Sequence, residues 1–225
     1  MIPLVHDFDG DVVLVFGGGA VGARKARRFA REARVVVVSP AFADADFGDS
    51  EFVRAAPDPE DVPAWLDAAD PALVVAATDD DALNTAMAAA ARERGVLVNR
   101  VDRSGERAAG SVVVPATVED GPVTVAVTTS GTSPAVSRHL RRELESVVDG
   151  AGLVATVVGD LRAELKAEGV DPERRRAAIR AAAADPDVWA AASDGADEAP
   201  VRDAAGRTVA KVLDGDGGGS GGERP

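Results

Sequence analysis

The chain contains no cysteine among its 225 residues, which excludes disulfides, thiolate chemistry and Cys-based zinc or iron–sulfur sites. Lysine is scarce: Lys25, Lys166 and Lys211 stand against a large excess of arginine. No apolar run is long enough to cross a bilayer, and the opening MIPLVHDFDGD has neither the basic nor the apolar segment of a secretory signal. The expectation is a cytoplasmic protein with no membrane partner. A formal net charge of -13 argues against general nucleic-acid binding, because the long-range field repels polyanions. Any anionic ligand must be met locally, by arginines and backbone N–H groups. Abundant carboxylates with little lysine suit a salt-rich solvent or an ordinary acidic protein, and in either case describe the solvent better than the substrate.

What is present begins with Val12 to Gly22, VVLVFGGGAVG, an apolar run entering Gly17-x-Gly19-x-x-Gly22. Gly17 permits a tight turn, Gly19 lets backbone approach a phosphate without an intervening Cβ, and Gly22 lets the following helix lie close to the sheet. Free N–H groups at the helix start, including those of Ala20 and Val21, then face an anion. A helix from Ala20 to Arg31, with Val21, Ala26, Phe29 and Ala30 inward, and a strand over Val35 to Val38 complete one βαβ unit. This spacing predicts a dinucleotide pyrophosphate on the turn; a glycine turn of purely structural use is the bland alternative. The second strand ends Val38-Ser39-Pro40 with no acidic residue for the ribose hydroxyls and no basic residue immediately after for a 2′-phosphate. Backbone around Ser39, Pro40 and Ala41 must serve, and the residues alone leave NAD against NADP open.

Further along, Glu51 to Arg54 suggests a short strand, the region of Trp65 an Ala-rich turn, and Leu73 to Ala77 a buried strand. Thr78-Asp79-Asp80-Asp81 opens a helix to about Arg94, with Leu83, Met87, Ala90 and Ala91 at helical spacing; helix capping explains the aspartates. Val96 to Val98 forms a strand ending at Asn99. This alternation predicts a Rossmann-type α/β fold, a doubly wound parallel sheet with its ligand crevice at the carboxyl ends of the strands. The rule gathers Gly17 to Gly22, Ser39-Pro40, Thr78-Asp79 and Asn99 to Asp102. Ser111 to Val114 and Val123 to Val127 are strand candidates around Pro115 and a Gly121-Pro122 turn. Ser133 as N-cap and Pro134 at the first helical position start a helix with Val136, Leu140, Leu144 and Val147 on one stripe. Such a small α+β region is a poor core alone and predicts a homodimer. The expected organisation is 1–103 nucleotide-binding, 104–149 dimerisation, 150–213 helical (Leu153 to Lys166, Pro172 to Ala184, a piece near Trp189), and 214–225 a disordered Gly-rich tail.

The stretches VLVFGGGAVGARKA, VVVSP, AATDDDALN, VNRVD, GSVVVPA and TTSGTSPAVSRHLRRELE together resemble the precorrin-2 dehydrogenases of sirohaem biosynthesis, including bifunctional forms that are also sirohydrochlorin ferrochelatases. The resemblance implies NAD-dependent oxidation of the tetrapyrrole precorrin-2 to sirohydrochlorin, with Fe2+ insertion as a further step of the bifunctional forms. It implies Asp102, in VNRVD, as the catalytic base, a role that suits a carboxylate just past a strand's carboxyl end. The cofactor set is Gly17, Gly19, Ala20, Val21, Gly22, Ser39, Pro40, Ala41 and Thr78. A substrate rich in carboxylates needs donors and cations, for which Asn99, Ser130, Gly131, Thr132, Ser133 and Arg138 are candidates, with Arg100, Arg103, Arg141 and Arg142 as further cations. Asn99 could equally close its strand, and the arginines could be a solvated face. Ser133 matches a serine phosphorylatable in some members, although capping suffices to explain it. His139 is the candidate iron ligand. The competing reading is a non-catalytic NAD-binding regulatory module.

Overall fold

The structure, a computed structural model, describes residues 3–102, 110–193 and 197–215. Two compact units divide it: residues 1–114 with 130–132, and residues 115–129 with 133–225.

In the first unit, β1 (Val12–Phe16), β2 (Arg34–Ser39), β3 (Ser50–Arg54), β4 (Leu73–Ala76) and β5 (Leu97–Arg100) form one parallel sheet in the order β3-β2-β1-β4-β5. Strand side chains alternate between faces. Leu14 and Phe16 therefore pack with Val62, Leu66, Leu83 and Met87 of α2 (Val62–Ala69) and α3 (Asp81–Glu93). Val13 and Val15 pack with Ala23 and Ala26 of α1 (Ala20–Phe29) on the opposite side. With both faces covered, β1, β2 and β4 read as near-continuous apolar runs, the doubly wound pattern the sequence predicts. Chain order runs outward from β1 to β3 and then returns to β4 on β1's other side, which puts the crevice of such a sheet at the β1/β4 carboxyl ends.

Three local expectations change. The residues near Trp65 form the helix α2 instead of a turn, with Pro63 in its first turn and Asp70 (φ 44) at its C-cap. Val21 is 38% exposed, because α1 buries Gly22, Ala23 and Ala26 and so turns Val21 outward. Ser111 to Val114 is no hairpin strand: Ser111 makes a single parallel bridge to Val98, and Val112 N donates to Val98 O at 2.8 Å.

The second unit holds the hairpin, β6 (Ala116–Asp120) with β7 (Val123–Val127), whose antiparallel register is set by the two-residue turn at Gly121 and Pro122. Gly121 sits at φ +51. The helix α4 (Pro134–Val148) supplies Leu144 and Val148 to a small cluster with Val118, Val123 and Val125. The helices α5 (Ala151–Ala167), α6 (Pro172–Ala184), α7 (Pro186–Ala192) and α8 (Glu198–Gly215) share a core of valines and alanines, including Val157, Ala178, Val188, Val201 and Ala205. Sequence periodicity misses α8 as a distinct element, since Pro200 and Gly206 punctuate it; Pro200 lies in the first turn, where proline is tolerated. Asp214 and Gly215 belong to α8, and the rest of the expected tail lies outside the described residues.

Candidate functional site

The glycine turn is fixed by its neighbours in the sheet. Gly17 N donates to Val38 O at 3.0 Å and Ala77 N to Phe16 O at 2.9 Å. Gly17 holds φ +119, and a Cβ there would lie 2.3 Å from Ala77 O. At Gly22 a Cβ would lie 1.9 Å from Gly17 O, so the helix rests directly on the turn. Gly18, which the fingerprint treats as a free position, is equally constrained: its Cβ would come within 2.1 Å of Ala41 O. Gly19 differs, because a Cβ built on it meets nothing within 4 Å. It is also the N-cap of α1, which has no side-chain cap and no acidic residue in its first turn. The N–H groups of this turn thus open onto free space at the positive end of a helix, beside the exposed Val21. These features fit a pyrophosphate, which the N–H groups of Gly19, Ala20, Val21 and Gly22 could hold.

The loop after β2 seats on this turn, with Ala43 N donating to Gly18 O at 2.8 Å. Ser39 is buried and its hydroxyl donates to Ala41 O at 2.7 Å. Pro40 O accepts from Arg54 Nη1 at 2.9 Å. Thr78 follows β4, and its hydroxyl donates to Asn84 Oδ1 at 2.8 Å while Asn84 Nδ2 donates to Thr78 O at 2.9 Å. That closed pair makes the buried Asn84 a determinant of loop shape that periodicity passes over. Asp80 caps α3 by accepting from Leu83 N at 3.0 Å, as capping arguments predict.

Asp102 lies just past β5, whose end adjoins β4 through Val101 N donating to Ala76 O at 3.1 Å. Both carboxylate oxygens accept from Arg100, Nε at 3.0 Å and Nη2 at 2.5 Å. Arg100 is 10% exposed at its side chain and also donates to Thr85 Oγ1 at 3.0 Å and Asp81 Oδ1 at 2.8 Å. Hydrogen bonding to Asp102, ahead of that to Asp81, holds its guanidinium above the ordinary arginine value. Arg100 thus orients Asp102, while Thr85 and Asp81 accept from further N–H groups of its guanidinium. The Asp102 side chain keeps 24% exposure.

Asn99 is 3% exposed. Its Nδ2 donates to Val112 O at 2.8 Å, closing the strand end, and its Oδ1 is buried with no partner among the described residues. In the second unit, Ser133 caps α4, accepting from Val136 N at 3.4 Å, and Thr129 Oγ1 donates to Ser133 O at 3.0 Å. Of residues 130–132, which belong to the first unit, Ser130 (φ 55) and Gly131 (φ 85) take left-handed conformations and Thr132 is exposed. Arg138 and His139 are exposed on α4, whereas Arg141 pairs with Glu145 at 2.8 Å. No group of three or more His, Asp or Glu suited to a metal ion occurs among the described residues, so His139 has no assembled ligand set there. Arg103 lies outside the described residues.

A family model described as putative NAD(P)-binding matches residues 4–116, and one described as sirohaem biosynthesis protein central matches residues 120–146. A precorrin-2 dehydrogenase of Methanosarcina barkeri is 32% identical over 211 residues, 89% of this chain and 91% of the relative. A siroheme synthase of Pseudomonas paraeruginosa is 35% identical over 182 residues; the match takes in 78% of this chain but only 37% of that relative's length. Among solved structures, SirC, a precorrin-2 dehydrogenase, matches with a TM-score of 0.65 at 19% identity, covering 95% of this chain and 100% of SirC, a likeness of fold. With the glycine turn, the β1/β4 switch in strand order and the carboxylate beyond β5 in place, the chain belongs to the precorrin-2 dehydrogenase family.

Proposed function

We propose that this chain oxidises precorrin-2 to sirohydrochlorin with NAD as acceptor, a step of sirohaem synthesis. The observation that carries the reading is the uncapped start of α1, open at Gly19 and joined through the ends of β1, β4 and β5 to an arginine-held carboxylate. Dehydrogenation removes a hydride and a proton from the macrocycle. NAD supplies the hydride acceptor when bound. The chain's own tasks are to hold the pyrophosphate on the N–H groups of Gly19 to Gly22 and to take the proton on a carboxylate oxygen of Asp102. Arg100 keeps Asp102 from rotating away, so the base is presented in one orientation. The substrate's carboxylates call for donors and cations, for which Ser130, Gly131, Thr132, Ser133 and Arg138 are the candidates; the buried Asn99, whose Nδ2 donates to Val112 O, closes its strand instead.

Two further parts belong to this proposal. A homodimer is supported by the α4 stripe, where Val136, Leu140 and Val147 are 47%, 42% and 66% exposed. Fe2+ insertion is a separate activity to be assayed as sirohaem formation from sirohydrochlorin; its loss in His139→Ala would place the metal at that residue. No helix among the described residues is long and apolar enough to cross a membrane.

The test is turnover of precorrin-2 with NAD, followed as NADH appearance together with the sirohydrochlorin spectrum. Asp102→Asn should bind NAD with nearly unchanged affinity and slow oxidation by about 100-fold or more, the scale of a lost general base. Wild-type turnover by this variant would remove Asp102 from the base role. Tight NAD binding by the wild type without any turnover would favour a regulatory module.

A further inference from the structure

A Rossmann-type site that prefers NAD ordinarily places a carboxylate at the end of its second strand, where it accepts from the ribose 2′-hydroxyl and repels a 2′-phosphate. Here that position is Ser39, whose hydroxyl is turned into its own loop by donation to Ala41 O at 2.7 Å. The sequence following β2 offers no cation either, but the sheet brings one from the neighbouring strand. Ser39 and Arg54 are register partners across the β2/β3 pair. Arg54 Nη1 donates to Pro40 O at 2.9 Å, and its Cζ lies 5.4 Å from the centroid of the Phe42 ring. Phe42 is itself held by edge contacts to Phe52 at 4.9 Å and Phe47 at 6.1 Å between centroids. The guanidinium is therefore steadied from two directions while its residue stays exposed, and one bond to Pro40 leaves most of its five N–H donors unused by that contact. The same loop, residues 39–43, is hydrogen-bonded to Gly18 of the phosphate turn through Ala43 N.

From this we infer that Arg54 receives the 2′-phosphate of an adenine dinucleotide, so that the site accepts NADP as well as NAD. The inference rests on the dinucleotide reading of the glycine turn and adds the residue that decides between the two cofactors. The chemistry is that of a planar, permanently charged fork with parallel N–H donors, matched to phosphate oxygens. Missing repulsion at Ser39 and a fixed cation at Arg54 act in the same direction, since discrimination depends on the penalty as much as on the attraction.

Direct binding of NAD and NADP to the purified full chain, by calorimetry at fixed salt, tests this without recourse to turnover. The wild type should bind NADP with a Kd within about tenfold of that for NAD. Arg54→Gln should raise the NADP-to-NAD ratio of Kd values by about 10- to 100-fold, the scale of a lost charge-assisted phosphate contact. Arg54→Lys should recover part of that ratio, and higher salt should weaken NADP more than NAD in the wild type only. An unchanged ratio in Arg54→Gln would overturn the assignment, as would equal weakening of both dinucleotides, which would make Arg54 a support of the 39–43 loop. Failure of the wild type to bind either dinucleotide would instead refute the glycine-turn reading, and this inference with it.

Discussion

Gly19 and Gly22, two glycines of the same fingerprint, should fail in opposite ways when given a methyl group. At Gly22 the new Cβ would lie 1.9 Å from Gly17 O, so the start of α1 must move away from the turn. Overpacking of this kind costs about 1–3 kcal/mol, and for a chain of this size each kcal/mol lowers Tm by about 2–4 °C. At Gly19 the Cβ meets nothing within 4 Å and the backbone is at φ -81, an ordinary value for any residue. The poorer N-cap offered by alanine is offset by the reduced freedom of the unfolded chain, so stability should hold within about 0.5 kcal/mol. That methyl would instead stand where the pyrophosphate must approach. Loss of one charge-assisted contact is worth about 1.5–3 kcal/mol, equivalent to about 10- to 150-fold in the Kd for NAD. Thermal melts and NAD titrations of Gly19→Ala and Gly22→Ala separate the two roles. A folded Gly19→Ala chain that binds NAD like the wild type would refute the phosphate seat, and a Gly22→Ala chain melting at the wild-type temperature would refute the contact with Gly17.

Leu140→Glu on the exposed α4 stripe should turn a dimer into a monomer by light scattering while leaving the melting of the chain near that of the wild type; a dimer unaffected by this change would mean another surface associates. In the helical unit, Asp185 caps α7 and accepts from Thr208 and from Asp187 N. Hydrogen bonding from Thr208, then from the Asp187 backbone, holds its carboxyl below the ordinary value. A depressed folded value means the contribution is complete above about pH 4, the unfolded range, and disappears as pH falls through the lowered folded value. Asp185→Ala should therefore melt lower than wild type at pH 7, with the gap narrowing toward pH 2; a gap that stays constant across that range would contradict the assigned cause.

The legible parts of this protein are those in which cause and effect lie close along the chain. A turn needing Gly17 and Gly22, a cap three residues ahead of its N–H as at Asp80 and Ser133, and apolar runs for strands covered on both faces are all written within a few residues. Even there, locality has edges. The hairpin strand belongs to Ala116–Asp120 because the turn at Gly121 and Pro122 imposes the register, while residues from Ser111 are taken up by β5. Val21 turns outward because the phase of α1 is set by Gly22, Ala23 and Ala26 against the sheet.

The sequence by itself determined the βαβ alternation, the glycine turn at the start of α1 and the placing of Asp102 beyond a strand end, because each follows from short-range backbone and periodicity constraints. Only the tertiary structure decided that Gly18 is pinned by Ala41, that Arg54 meets Pro40, and that Arg100 turns back onto Asp102 under the hold of Thr85 and Asp81. Those outcomes depend on which strands become neighbours and on how α3 lies over β5, and pairings between residues so far apart along the chain leave no periodic trace in it.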